Sequence, residues 1–266
     1  MPRLSCRRAL ELKAELAETR AEVITPGDGD YTERVGCLDL GGIEAGALVH
    51  VTTTDEVSQV VRYAAKHHIP LFIHGGAFPT DRSALAEGGI VVSLTRMHKV
   101  LLDPASRTLA AQGGATWADI AHTAAASGFT SGKYPGSATS DTESAGGTGT
   151  GWLAGEHDSA VDNLLSVKLV LADGSIVTAS STEKTDLFWA LQQAGQAFGV
   201  ATEIVFRVFP ERKPGEMHPS GNLGPGHIQA VEDSTEDLSR LRKLKRRYDP
   251  DGVFASLDLV STETAR

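Results

Sequence analysis

Cysteine is nearly absent: Cys6 and Cys37 are the only two in 266 residues. That excludes a disulfide scaffold, and the pair has no metal-ligand spacing, so one bridge or two free thiols are both open. An excess of positive charge is lacking as well. Lys and Arg number 25 against 34 Asp and Glu, a formal net charge of -9. Binding to nucleic acid or to an anionic membrane relies on cations that neutralise phosphates, so neither partner is expected. The one basic run, Arg240 to Arg247, is local. Nor does a continuous apolar stretch open the chain. MPRLSCRRALELKAELAETR spreads arginines and glutamates along its length, which reads as neither a leader nor a membrane span and points to a cytoplasmic location.

What is present is a globular composition, 41% hydrophobic and 22% charged, enough for one large domain or two lobes sharing a core. Leu4, Ala9, Leu12 and Leu16 recur at helical spacing near the start. Ala47 to Val51 predicts a strand, Thr52 to Asp55 a helix N-cap, and Glu56 to His67 a helix with Val57, Val60, Val61 and Ala64 on one face. Ile69 to Ile73 returns as a buried strand and runs into His74-Gly75-Gly76-Ala77-Phe78-Pro79. Strands at Ile90 to Leu94 and Val100 to Leu102 complete a first lobe ending near Pro104.

The second lobe opens with a strand at Thr108 to Ala111, the turn Gly113-Gly114-Ala115-Thr116 and a helix from Trp117 to Ala126. Residues 127–151 are rich in Gly, Ser and Thr, and a loop of that length in a compact domain is commonly functional or disordered. Ser166 to Leu171 and Ile176 to Ala179 flank Ala172-Asp173-Gly174-Ser175 as a hairpin. A short helix follows at Asp186 to Gln193, then Phe198-Gly199-Val200 and a closing strand from Ala201 to Phe209. Residues 211–234, with three prolines and four glycines, read as a linker. Residues 235–266 recover helical spacing at Leu238, Leu241, Leu244 and Tyr248 before stopping at Asp249-Pro250-Asp251-Gly252. The expected division is thus 1–210, with lobes of about 1–104 and 105–210, then linker and terminal helix.

Two stretches carry a resemblance. One is Gly146 to Pro210, with its order of glycine cluster, alternating strand, Ala-Asp-Gly-Ser turn, acidic-aromatic helix opening and second glycine pair. The other is Leu241 to Pro250, a helix ending in Tyr-Asp-Pro. Together they resemble the FAD-binding domain and terminal helix of the berberine-bridge-enzyme-like flavin oxidases, within the vanillyl-alcohol-oxidase superfamily. The resemblance implies an α+β fold, a PCMH-type FAD-binding domain of two α/β lobes on which the C-terminal helix packs back. Relatives carry a whole substrate-binding domain between closing strand and terminal helix, where this chain has residues 211–234.

FAD binding follows from the resemblance, and elementary chemistry says what it needs. A diphosphate must be met by backbone N–H groups at close range, which favours residues with little side chain. The expected contacts are His74, Gly75, Gly76, Ala77 and Phe78, the pairs Gly113-Gly114 and Gly146-Gly147, Gly149, and Gly199-Val200 toward the adenine end. In the family the first loop reads Arg-Gly-Gly-Gly-His, the histidine being bonded to the flavin; here Phe78 stands at that position. A second tether, a cysteine before proline, is replaced by Tyr134-Pro135. A non-covalent FAD is therefore expected. Tyr134, at the old cysteine position, and Asp237, where relatives often place asparagine, are the candidate catalytic acid or base residues.

The resemblance implies oxidation of a small organic substrate. The alternatives are a non-redox isomerase or cyclase using the flavin pocket, or an inactive remnant. A face left bare by the missing domain invites self-association. No metal is expected: His67-His68 suits a helix end, and Glu156-His157-Asp158 lacks a partner motif. Trp117, Trp152 and Trp189 read as packing anchors.

Overall fold

The computed structural model describes residues 4–36, 45–75, 88–130, 163–210 and 235–254. They form an α+β arrangement around two sheets. The first sheet contains β1 (Glu22–Ile24), β2 (Ala47–His50), β3 (Leu71–His74) and β4 (Ile90–Ser93), in the order β1-β2-β4-β3. β2, β4 and β3 are parallel, while β1 pairs antiparallel with β2. Helix α1 (Cys6–Glu15) packs Ala9, Leu12 and Leu16 onto this half, and α2 (Tyr31–Gly36) follows β1. The sequence does not predict β1 or α2, since three- and six-residue elements show too little periodicity to read.

Parallel strands need a crossover, and here it is α3 (Thr54–His67), running from β2 to β3. Its start is fixed by a capping box: the Glu56 amide donates to Thr53 Oγ1, and the Glu56 carboxylate accepts from the amides of Thr52 and Thr53. That carboxylate also accepts from the Arg20 amide, so it is buried without being unpaired. His68 ends the helix in the left-handed region at φ 53°.

The second sheet, ordered β5-β6-β10-β8-β9, is antiparallel throughout. It comprises β5 (Val100–Asp103), β6 (Thr108–Gln112), β8 (Leu164–Val170), β9 (Ile176–Ser180) and β10 (Val200–Arg207). The two-residue strands β7 (Phe129–Thr130) and β11 (Phe209–Pro210) pair beside it. Strand β5, read from the sequence as the end of the first lobe, is hydrogen-bonded to β6. The cause is the tight turn between them, where Asp103 accepts from the amides of Ala105 and Ser106 and Arg107 takes φ 54°. The seam between sheets therefore runs through residues 94–99. Helices α4 (Trp117–Ala125) and α5 (Thr185–Ala194) cover this sheet with Ile120, Leu187 and Phe188.

Helix α3 joins the halves. Val57, Val60 and Val61 pack in one cluster with Val49 and Val92 of the first sheet and with Val170 and Val200 of the second. Each such buried side chain contributes about 1.5–3 kcal/mol. Across the same contact Ser58 Oγ donates to Gly174 O, and Thr54 Oγ1 donates to Thr202 Oγ1 at 3.1 Å.

Helix α6 (Thr235–Tyr248) docks Leu241 and Leu244 into the second sheet's core and keeps Arg246 and Arg247 outside. At its end Lys245 Nζ donates to Ala197 O at 2.7 Å, to Phe254 O at 3.0 Å and to the buried Asp249 carboxylate. Asp249 also accepts from the amides of Val253 and Phe254. Phe254 then forms a parallel bridge with Leu71 on β3, so this segment fastens the second half to the edge of the first.

Candidate functional site

In open α/β sheets ligands bind outside the carboxyl ends of parallel strands. That edge is formed here by His50, Ser93 and His74, which end β2, β4 and β3 and are laterally in register. Antiparallel pairing adds Glu22 opposite His50, so one polar row crosses all four strands. Gly75 leaves the row directly. The sequence marks His74, which precedes a glycine loop, and leaves His50, Ser93 and Glu22 unmarked; their only signal is that each stands at a strand end.

The groups of this row differ in how they are satisfied. Arg34 Nη1 donates to Glu22 Oε1 at 2.8 Å, and Arg96 donates to Glu22 Oε2. Ser93 Oγ and Thr95 Oγ1 share a hydrogen bond of 2.9 Å. Nδ1 of His50 and Nδ1 of His74 are buried with no hydrogen-bond partner among the described residues. Burial, and then the neighbouring His50, push the His74 pKa down to about 4. Burial also lowers that of His50, helped by Arg96 and opposed by Glu22. Both rings are neutral at neutral pH.

The seam glycines are a different kind of site. Gly113 N donates to Thr202 O at 3.1 Å and Gly114 N to Met97 O at 2.9 Å. A Cβ on Gly113 would lie 2.1 Å from Ala201 O, and one on Gly114 1.9 Å from Leu94 O. One on Gly199 would lie 2.5 Å from Val170 O. Close backbone approach thus demands glycine at all three, and the amides of Gly113 and Gly114 are already given to protein carbonyls. Val200 is buried at the start of β10. The Leu94 amide donates to His74 O at 2.8 Å and the Met97 amide to Leu94 O at 2.7 Å. His74, Gly113-Gly114 and the start of β10 are therefore brought together through one run of backbone contacts.

Asp237 sits half-buried in the first turn of α6, eight residues before Lys245. Gly76, Ala77, Phe78, Tyr134, Gly146, Gly147 and Gly149 lie outside the described residues, as do Trp152 and Glu156-His157-Asp158. Among the described residues no three His, Cys, Asp or Glu side chains are grouped to hold a metal. No helix there is long and apolar enough to cross a membrane. Cys6 is an exposed free thiol. Trp117 packs on Phe206 with centroids 5.6 Å apart, and Arg240 stacks 3.8 Å over the partly buried Trp189.

A dinucleotide fits this edge in one specific respect: it brings polar groups to a place where two buried nitrogens lack partners among the described residues. His74 and Gly75 would hold it.

Known proteins agree on where this chain belongs. Residues 45–180 match the family described as FAD binding domain. An FAD-linked oxidoreductase of Aspergillus terreus is 32% identical over 206 residues, covering 77% of this chain and 39% of that protein. The (R)-6-hydroxynicotine oxidase of Paenarthrobacter nicotinovorans is 28% identical over 193 residues, covering 71% and 42%. In structure, the BBE-like 1 protein of Physcomitrella patens superposes with a TM-score of 0.64 at 24% identity, covering 75% of this chain and 44% of that one. The chain spans about two-fifths of the length of the curated relatives it matches.

Proposed function

The chain belongs to the FAD-binding family of the berberine-bridge-like oxidoreductases, and from that premise we propose that it holds FAD without a covalent bond and serves the oxidation of a small organic molecule. FAD, when bound, supplies the acceptor for a hydride. The single observation behind the non-covalent reading is Phe78: four residues beyond His74, a hydrocarbon ring occupies the position at which the family bonds histidine to the flavin. His74 itself is not a substitute tether, since it ends a strand inside the fold.

The protein's own part is binding and proton handling. His74 and Gly75 place the chain at the carboxyl edge of the first sheet, and Tyr134 and Asp237 are the two groups offered for accepting a substrate proton. Acid precipitation of the protein reconstituted with FAD tests the first claim: all the yellow colour should remain in the supernatant, and colour kept in the pellet refutes it. Anaerobic bleaching by a substrate, reversed in air, tests the second. Product formation with the flavin still oxidised would replace the redox reading by an isomerisation. Tyr134→Phe and Asp237→Asn should each retain flavin, and the one that slows bleaching identifies the base.

A further inference from the structure

The polar row at the carboxyl edge contains an imbalance that the fold alone does not explain. Glu22 is matched by Arg34 and Arg96, and Ser93 by Thr95. Among the described residues the imidazoles on either side of Ser93 are unmatched at Nδ1, although His74 is only 6% exposed. A buried polar atom left unpaired costs about 1–3 kcal/mol, and buried polar groups in native proteins find partners in protein, water or ligand. Two such atoms flanking one hydroxyl in the same row are acceptors left open to a hydrogen-bonding guest.

The charges around the row decide what kind of guest. Among the described residues, the groups facing it are Glu22 from β1, Arg34 and Tyr31 from α2, Arg96 beyond β4, and the two histidines themselves. Both arginines are engaged with Glu22, and Arg34 also with Asp30 at 2.7 Å. Tyr31 gives its hydroxyl hydrogen to Ala45 O. Burial keeps both rings uncharged. An anion placed here would lose its water beside a carboxylate, facing cations already committed to that carboxylate. Hydroxyl groups carry no such penalty and both donate and accept.

We propose that His50, Ser93 and His74 form a subsite for the uncharged hydroxyls of a bound ligand, with polyol O–H groups donating to the two imidazole Nδ1 atoms. The inference rests on the FAD reading in one respect: the hydroxyls would be those of the ribityl chain or of the adenosine ribose. Histidine side-chain nitrogen NMR on the full chain tests it, with assignments from His50→Gln and His74→Gln, and with flavin fluorescence reporting independently whether FAD is bound. Saturating FAD should move both Nδ1 signals without raising either ring's titration midpoint, and lumiflavin, which has no polyol, should move neither. A shift reproduced by riboflavin assigns the ribityl chain, and one reproduced by ADP assigns the ribose. His74→Phe should weaken FAD about tenfold and His74→Gln by less than about threefold.

Signals unmoved while fluorescence shows FAD bound would overturn the subsite and leave the flavin reading standing. Midpoints that rise on binding, a lumiflavin shift equal to that of FAD, or an FAD shift that neither riboflavin nor ADP reproduces would do the same. FAD that fails to bind at all overturns the flavin reading itself and the subsite with it.

Discussion

One hydrogen bond, from the Leu94 amide to His74 O, separates two regions that treat polar atoms in opposite ways. On the seam side, Gly113 and Gly114 give their amides to protein carbonyls, and the space a side chain would need is filled by backbone oxygen. On the edge side, His50 and His74 keep nitrogens inside the fold that are unpaired among the described residues. The contrast teaches that glycine-rich turns in this chain can report how closely strands approach, while unmatched buried side chains report where something else is meant to bind. A glycine pair and a cofactor contact are separate inferences.

The comparison breaks most visibly at the seam. Gly114→Ala should cost about 3 kcal/mol in urea unfolding, because the new methyl meets a main-chain oxygen that no rotamer change can move. A loss below about 1 kcal/mol would show that the seam yields. At the edge the effect is pH-dependent and smaller, about 2 kcal/mol. His74 has a folded pKa of about 4 against an ordinary 6.5, so only the unfolded chain takes up a proton between those values. Stability is therefore full above pH 6.5 and falls progressively as the pH drops toward 4. His74→Gln should flatten that acid limb in denaturant titrations at pH 7 and 4.5; an unchanged limb would mean that other groups set it.

Two milder substitutions sharpen the contrast. Thr54→Ala removes a hydroxyl pair that ties α3 to β10 and should cost about 1 kcal/mol at every pH, with flavin affinity unaffected. Arg240→Ala, on the outer surface over Trp189, should cost about 0.5 kcal/mol and serves as the baseline. A loss there as large as at Thr54 would argue that the terminal helix is held by its rim rather than by Leu241 and Leu244.

Much of the architecture was legible because local chemistry states it. Thr52 to Asp55 spell a helix N-cap, Asp173-Gly174-Ser175 a hairpin, and Asp249-Pro250 a helix stop, and the structure has α3, the β8-β9 turn and the end of α6 at those places. The site was legible only in part. His74 could be flagged because a glycine loop follows it, but His50 and Ser93 become its neighbours only through the strand order β1-β2-β4-β3, which places a later strand between two earlier ones. Lateral neighbours of that kind leave no spacing in the sequence. Lys245 stands unmarked within the basic run Arg240 to Arg247, whereas Ala197 O, the Asp249 carboxylate and Phe254 O all accept from its ammonium.

Helix α3 offers its valines to both sheets at once, so the first half shares its main interior with the second, which has a core of its own besides. Cutting the chain after Ser93 would not liberate a miniature flavin holder; it would yield a fragment with Val57, Val60 and Val61 partly bare, prone to clump. Heating should accordingly melt the intact molecule in one concerted step, and whatever occupies the carboxyl edge of the first sheet should raise the melting point of the second as well.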